Sequence, residues 1–179
     1  NNVQGASDSG LIPMMYPDYQ RVAAADANQR FEKFWGMPLD KKPGLTVVEI
    51  MNAAYDRKIR GMYIMGENPA MSDPDVQHAR QALAELDMLV VQDIFLTETA
   101  YLADVVLPAS AFPEKTGTFT NTDRTVQLGR QALEPPGEAR HDLRIIIDMA
   151  RQMGLDWKYT HPRDVFDEMR KAMPSIAGI

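Results

Sequence analysis

Three short apolar runs, separated by segments of helical pattern, constrain the fold of this 179-residue chain more than any other feature. The runs are GMYIM at 61–65, MLVVQ at 88–92 and DVVLP at 104–108. Strands that alternate with helices form βαβ units, in which the strands run parallel. Because the runs are continuously apolar rather than alternating, they are typical of strands covered on both faces. The sequence therefore predicts an α/β fold, a parallel sheet with helices on both faces.

The predicted helices flank these strands along the chain. They cover 21–36, 45–58, 73–87, 97–103, 142–154 and 162–173. Residues 1–20 contain several glycine, proline and polar residues and are expected to be irregular. Thr46 is expected to cap the second helix, because Glu49 follows three residues later and completes a capping box. Pro74 is expected in the first turn of the third helix.

The composition narrows the classes of function. The chain is 45% hydrophobic and 25% charged with a net charge of −6, which favours neither nucleic acid nor an anionic membrane surface as a partner. No apolar run approaches the roughly 18 residues that a membrane helix needs. The absence of cysteine excludes a disulfide framework, a thiolate nucleophile and a Cys-ligated cluster within this stretch. The three histidines occur in no metal-ligand spacing, so we predict no metal site.

Glycine and polar residues follow the first two strands, at the end where parallel sheets bind ligands. Gly66 can adopt a left-handed conformation or allow close backbone approach, and Asn68 offers both donor and acceptor atoms. Ser72 is expected to cap the next helix, whose free amides form an anion site. Gln92 and Asp93 leave the second strand, where a carboxylate can accept hydrogen bonds from guanine. The alternative is that these residues are only caps and turns; the GxGxxG fingerprint is absent.

Five motifs in the same order resemble those of the molybdopterin oxidoreductase family. TETAYLADVVLPASAFPE at 97–114 fits every position of its signature of small residues, Asp, two aliphatics, Leu-Pro, small residues and Glu. KTGTFTNTDRTVQ at 115–127 is similar to its Gly-Thr-aromatic-Thr-Asn-acidic-Arg-Arg-Val-Gln stretch, with Thr125 where a second Arg is usual. The opening NNVQGASDSGLIPMMYPDYQ, together with YIMGENPAMSDPD and VVQDIF, looks like formate dehydrogenase catalytic subunits.

The resemblance implies a Rossmann-like domain within a larger multidomain fold, in which two molybdopterin guanine dinucleotides hold molybdenum or tungsten. It implies a lead-in segment and helix at 1–44, a Rossmann-like dinucleotide-binding core at 45–111, and a pterin-side loop with C-terminal helices at 112–179. The positions that match the family's cofactor contacts are Gly66, Asn68, Ser72, Gln92, Asp93, Ala109 (through its backbone) and Asp142. From the residues alone, Asp142 is equally explained as the N-cap of the helix that follows it.

The resemblance assigns no catalytic residue and no metal ligand to this stretch. In formate dehydrogenases a cysteine or selenocysteine ligates the metal, a histidine lies beside it, an arginine orients formate, and a 4Fe-4S cluster is bound near the N-terminal end. None of these has a matching position here, and the abrupt start without an initiator methionine favours a segment of a longer protein. The segment alone is therefore expected to be inactive.

The whole enzyme that the resemblance implies oxidises formate to carbon dioxide and passes electrons to the iron–sulfur cluster. Its expected partners are the remainder of the catalytic subunit and electron-transfer subunits with iron–sulfur, flavin or NAD sites, in the cytoplasm. The alternatives are another molybdopterin oxidoreductase of the nitrate reductase type, the molybdenum-free large iron–sulfur subunit of NADH dehydrogenase, and a free-standing nucleotide-binding module. Intact Gly66, Asn68, Gln92 and Asp93 argue against the molybdenum-free scaffold.

Residues outside the cofactor positions are given structural roles. Asp104 is expected to form a strand-entry turn or a buried hydrogen bond. Glu114, Asn121, Asp123 and Arg124 are expected to form either a polar network near the pterin or an exposed hairpin.

Overall fold

The computed structural model describes residues 2–179, and Asn1 lies outside the described residues. One compact unit comprises 2–45, 116–130 and 158–179, and the other comprises 46–115 and 131–157. The helices are α1 (Val3–Asp8), α2 (Ala25–Trp35), α3 (Val47–Tyr55), α4 (Pro69–Ser72), α5 (Val76–Ala84), α6 (Asp142–Gln152) and α7 (Pro162–Ala172). The strands are β1 (Met15–Tyr16), β2 (Gln20–Arg21), β3 (Gly61–Met65), β4 (Met88–Asp93), β5 (Val105–Pro108), β6 (Gly117–Thr120) and β7 (Val126–Gly129).

The first unit is built around an aromatic core. Phe31 from α2 is fully buried, and its ring centroid lies 4.7 Å from that of Tyr16 and 4.9 Å from that of Trp35. The predicted end of α2 is confirmed, since Gly36 follows it with a φ of 69°. Glycine adopts this left-handed conformation without a Cβ penalty, which is why it ends helices so often.

The prediction that residues 1–20 are irregular is wrong over the described part of that range. It contains α1, β1, the start of β2 and a 3₁₀ turn at Pro17–Tyr19. The physical reason is the anchoring of Tyr16, whose ring packs against Phe31 and whose hydroxyl accepts a hydrogen bond from Asn28 Nδ2 at 2.8 Å. Tertiary packing here outweighs the poor fit of glycine and proline to regular structure.

β6 and β7 pair antiparallel as a hairpin in the first unit. Its turn holds Arg124 at a φ of 66°, and Asp123 Oδ1 accepts a hydrogen bond from the Thr125 N–H at 2.9 Å. Asn121, Asp123 and Arg124 are all exposed. For these three residues the structure has the exposed hairpin, whereas Glu114 lies before it in a 3₁₀ turn and accepts a hydrogen bond from the Ala111 N–H at 2.8 Å.

The second unit contains the predicted parallel sheet, with strand order β3-β4-β5. β3 has the predicted bounds, β4 extends one residue further to Asp93, and β5 begins at Val105. Asp104, just before β5, accepts a hydrogen bond from the Leu89 N–H at 2.7 Å, which confirms its structural role. Because the strands are parallel, their carboxyl ends lie at one edge of the sheet.

Helices α4 and α5 cover one face of this sheet. Ile64, Leu89 and Val91 form a core on that face with Ala70 of α4 and Leu83 of α5. A second cluster joins α3 to α5. This packing follows the general rule that a sheet buries its apolar face against helices.

The opposite face of the sheet carries the start of α6. Asp142, the first residue of α6, contacts Gln92 of β4 there. Tyr63 and Met65 on this face are 41% and 40% exposed, so the face is more open than the continuous apolar runs predict. No helix within residues 2–179 is long and apolar enough to span a membrane.

Two helix predictions had different outcomes. The capping box that begins α3 is confirmed, since Thr46 Oγ1 accepts from the Glu49 N–H and the Glu49 carboxylate accepts from the Thr46 N–H at 2.8 Å. The helix predicted at 97–103 is wrong, because only a 3₁₀ turn forms there, at Ala100–Leu102. The segment is short, and the side chains of Thr97 and Asn68 hold its first amides in a turn.

Candidate functional site

Gly66 ends the first strand of the sheet in the left-handed conformation that its sequence position allows, with a φ of 67°. Its N–H donates to the Gln92 carbonyl at 2.9 Å, which holds the turn against β4. A Cβ placed on Gly66 would meet no heavy atom of residues 2–179 within 4 Å. The backbone at this turn therefore faces open space, where a ligand can approach it closely.

Asn68 links this turn to the loop that follows β4. Its Oδ1 accepts hydrogen bonds from the Thr99 N–H at 3.1 Å and the Thr99 hydroxyl at 2.7 Å. Its Nδ2 donates to the Glu98 carboxylate at 2.7 Å, and this bond holds the pKa of Glu98 below its ordinary value. Thr99 is buried and its Oγ1 accepts from the Ala70 N–H at 3.0 Å. These contacts of Asn68 fix the shape of both loops.

Ser72 does not cap the next helix, so that prediction is wrong. It is the last residue of α4, and its hydroxyl donates to the Asn68 carbonyl at 3.1 Å. Asp75 caps α5 instead, accepting from the His78 N–H at 3.2 Å. Pro74 precedes that cap and so lies outside the first turn of α5, where it was expected. The reason is that residues 73–75 form a turn between α4 and α5, whereas the predicted helix began at residue 73. Ser72 remains exposed at the rim of the loop.

Asp93 ends β4 with one carboxylate oxygen in use and one available. Its Oδ1 accepts hydrogen bonds from the N–H groups of Ile94 and Phe95, at 2.7 and 3.3 Å. Its Oδ2 receives no hydrogen bond from the part of the chain that the structure describes. The Asp93 carbonyl accepts from the Ala109 N–H at 3.0 Å, which places the end of β5 beside it. A carboxylate oxygen held this way can accept from a guanine N–H group.

Gln92 lies in a chain of polar contacts on the more open face of the sheet. Its side chain is fully buried; Oε1 accepts from the Tyr63 hydroxyl, and Nε2 donates to Asp142 Oδ1 at 2.7 Å. Asp142 Oδ2 forms an ion pair with Lys115 Nζ. Burial, aided by the charge of Asp142, raises the pKa of Tyr63, so the hydroxyl stays protonated and donates. The sequence does not predict this series of contacts, because the residues that form it lie far apart along the polypeptide.

Asp142 is not an N-cap, which corrects one of the two roles predicted for it. His141 occupies the cap position of α6 without a side-chain cap bond, and Asp142 follows as the first helical residue. The Asp142 carboxylate turns toward the sheet and contacts Gln92 and Lys115 instead. An acidic residue in the first turn also suits the positive end of the helix dipole.

Ser110, which the sequence analysis does not single out, is a buried polar residue next to the predicted site residue Ala109. It is 1% exposed, and its Oγ has no hydrogen-bond partner among residues 2–179. Its N–H donates to the Arg140 carbonyl at 2.9 Å, so its backbone is fixed at the end of β5. Burying an unpaired hydroxyl costs about 1–3 kcal/mol. Its position directly after Ala109 was the available signal.

Most of the predicted site residues meet at the carboxyl edge of the sheet. Backbone or side-chain hydrogen bonds join Gly66 to Gln92, Gln92 to Asp142, and Asp93 to Ala109. Asn68 and Ser72 lie in the adjoining loop. At this edge Asp93 Oδ2 receives no hydrogen bond from residues 2–179, and Gly66 has a φ of 67°. Residues 2–179 contain no group of three His, Asp or Glu side chains placed to bind a metal ion.

Comparisons with known proteins identify the family of the chain. The sequence model of the molybdopterin oxidoreductase family matches residues 5–152. The chain is 51% identical, over 100% of its length, to the F420-dependent formate dehydrogenase subunit alpha of Methanocaldococcus jannaschii. It is 45% identical, over 99% of its length, to the putative formate dehydrogenase YrhE of Bacillus subtilis. It spans 26% and 18% of these two relatives, which is about a quarter of their length or less.

A solved structure supports the fold. Acetylene hydratase from Pelobacter acetylenicus superposes with a TM-score of 0.64 at 22% sequence identity. The match covers 96% of this chain and 24% of that protein. At this identity the likeness establishes the α/β architecture and carries no inference about the reaction.

Proposed function

The chain belongs to the molybdopterin oxidoreductase family, and on that premise we propose that it is the segment of a formate dehydrogenase catalytic subunit that binds molybdopterin guanine dinucleotide. The observation that carries the proposal is the half-used carboxylate of Asp93. Its Oδ1 is held by two backbone N–H groups while its Oδ2 is left to accept, which is the arrangement needed to orient a carboxylate toward guanine donors. Relatives named as formate dehydrogenases match the chain over nearly its whole length.

The remaining residues complete the binding surface. Gly66 gives the ligand access to backbone atoms, because it has no Cβ and faces open space. Ala109 lies beside Asp93, whose carbonyl accepts from the Ala109 N–H at 3.0 Å. Asn68 fixes the loop that forms one wall through its bonds to Thr99. The protein's contribution is thus to hold and orient the cofactor, which carries the redox chemistry.

The whole enzyme would use a bis-molybdopterin guanine dinucleotide centre with molybdenum or tungsten to take two electrons from formate and release carbon dioxide. A 4Fe-4S cluster elsewhere in the subunit would receive the electrons and pass them to iron–sulfur, flavin or NAD-binding partner subunits in the cytoplasm. The remainder of the subunit would supply the metal ligand and the residues that bind formate. The net charge of −6 and the described polar site give no support for nucleic acid as a partner.

Acid release of nucleotides from the purified full-length protein, with elemental analysis of the same sample, tests this proposal. Guanine nucleotide together with molybdenum or tungsten supports it. Protein that contains iron but neither guanine nucleotide nor molybdenum or tungsten would contradict it and favour a scaffold subunit of the NADH dehydrogenase type. Formate oxidation by the loaded protein, compared with nitrate reduction, then separates the two molybdopterin enzyme classes.

A further inference from the structure

Within the described residues, Lys115 is the one basic side chain in the series of polar contacts that Tyr63, Gln92 and Asp142 form at the carboxyl edge of the sheet. Its Nζ pairs with Asp142 Oδ2 and donates to the Ser110 carbonyl at 2.9 Å. The Lys115 and Asp142 side chains are 26% and 28% exposed. Neither the sequence reasoning nor the proposed function assigns Lys115 any part in the site.

The geometry leads us to infer that Lys115 is a positioning residue, which neutralises and orients Asp142 so that an anionic nucleotide can bind beside it. The inference rests on the proposed function, because it names Lys115 as the group that compensates the negative charge of Asp142 at the proposed binding site. Asp142 is predicted to lie at the cofactor, and a dinucleotide carries negative phosphates. A largely buried carboxylate beside such a ligand repels it unless a cation compensates the charge.

The contacts indicate that Lys115 acts through Asp142 and is not an unpaired cation available to bind phosphate. The Lys115 ammonium is already shared between the Asp142 carboxylate and the Ser110 carbonyl. The same Asp142 carboxylate holds the amide of the buried Gln92 at 2.7 Å, and Gln92 in turn accepts from Tyr63. Loss of Lys115 would therefore leave Asp142 charged, largely buried and free to rotate away from Gln92.

A double-mutant cycle in the full-length protein tests the inference. The variants are Lys115→Met, Asp142→Asn and the double variant, with guanine nucleotide per mole and melting temperature measured for each. We expect Lys115→Met to lower the nucleotide content roughly tenfold, as loss of an orienting partner does at metal sites. Asp142→Asn removes the charge but keeps an oxygen for Gln92, so the double variant should retain as much nucleotide as Asp142→Asn alone. Lys115→Arg should retain more than half.

The cycle separates the possible failures. Full nucleotide content in Lys115→Met, a double variant that loses more than either single variant, or a Lys115→Arg loss equal to that of Lys115→Met would each overturn the inference. If Lys115→Met does not accumulate as folded protein, Lys115→Gln replaces it in the same cycle. Wild-type protein without guanine nucleotide contradicts the proposed function itself, whereas a nucleotide-loaded wild type with an additive cycle contradicts only the part assigned to Lys115.

Discussion

The two ends of the parallel sheet use polar residues in opposite ways. At the amino end, Arg57 pairs with Glu85 and Asp87 at 2.9 Å, and Asp104 accepts from the backbone of Leu89. Charges there are matched within the protein. At the carboxyl end, Asp93 keeps a free oxygen, a buried hydroxyl has no partner among the described residues, and a left-handed glycine faces open space. The comparison supports the proposal that the carboxyl end, where some polar groups have no partner among residues 2–179, is the end that binds a ligand.

The largest expected effect comes from valine at Gly66, which directly follows β3, with Gly61 at the start of β3 as the control position. Gly66→Val should abolish dinucleotide binding, because a β-branched residue at a φ of 67° is strained and would occupy the space left for the ligand. Gly61→Val is the matched control: its Cβ would lie 3.8 Å from the Met88 carbonyl, an ordinary contact in a strand. Guanine nucleotide per mole of full-length protein is the measurement. Equal nucleotide content in the two variants would remove the distinction between the ends.

The next effect concerns two aspartates at opposite ends of the sheet. Asp93→Asn turns its free carboxylate oxygen into an amide donor facing guanine donors, and losing a charged hydrogen bond costs about 2 kcal/mol, or roughly 30-fold in affinity. The fold should persist, since Asn Oδ1 can still accept from Ile94 and Phe95. Asp104→Asn, the control, should lower the melting temperature slightly and leave nucleotide content unchanged. Full nucleotide content in Asp93→Asn would exclude Asp93 from the site.

The central architecture could be predicted because it depends on local signals. Apolar runs between helical segments gave three parallel strands with nearly correct bounds, and the spacing of Thr46 and Glu49 gave a capping box. Gly66 was predicted from the same kind of signal, since its place after a strand favours a turn. Residues near each strand end were therefore visible as site candidates without any knowledge of the fold.

Two of the misses have a different cause, which is contact between residues far apart in the chain, whereas the error at Ser72 is local. The described part of 1–20 became regular because Tyr16 packs against Phe31. Lys115 was missed because its partner, Asp142, lies 27 residues away. Ser72 was assigned to the wrong helix because Pro69 began a short helix first, and propensity alone does not decide between adjacent starts.

A smaller effect is expected from Asn68→Ala, which tests whether the shape of the loop after β3 affects nucleotide binding. The variant leaves the buried Thr99 N–H and hydroxyl without their acceptor, at a cost of about 1–3 kcal/mol. We therefore expect a lower melting temperature together with weakened nucleotide retention. Ser72→Ala is the comparison within the same loop, because it removes only the exposed hydroxyl that donates to the Asn68 carbonyl, and we expect it to lose less nucleotide than Asn68→Ala. A variant with lower stability but full nucleotide content would limit Asn68 to a purely structural part.

The smallest effect is the pH dependence from Tyr63. Its pKa is raised above the ordinary value of 10.0 by burial and by Asp142. A raised folded pKa means that the stabilisation is fully present below pH 10 and is lost as the pH rises through the folded pKa. Tyr63→Phe should cost about 1 kcal/mol at neutral pH and remove this part of the alkaline decline. Denaturant unfolding between pH 8 and about 11 measures it, and an unchanged alkaline slope in the variant would contradict the assignment.

An experimental structure of the full-length protein with its cofactor tests the central claim most directly. We predict a guanine N–H group within about 3.2 Å of Asp93 Oδ2, and the nucleotide lying over Gly66 at the carboxyl edge of the sheet. We also predict that the amino end, with Arg57 and Asp87, makes no contact with the cofactor. A guanine bound elsewhere, with Asp93 Oδ2 turned to solvent or to another part of the protein, would contradict the account.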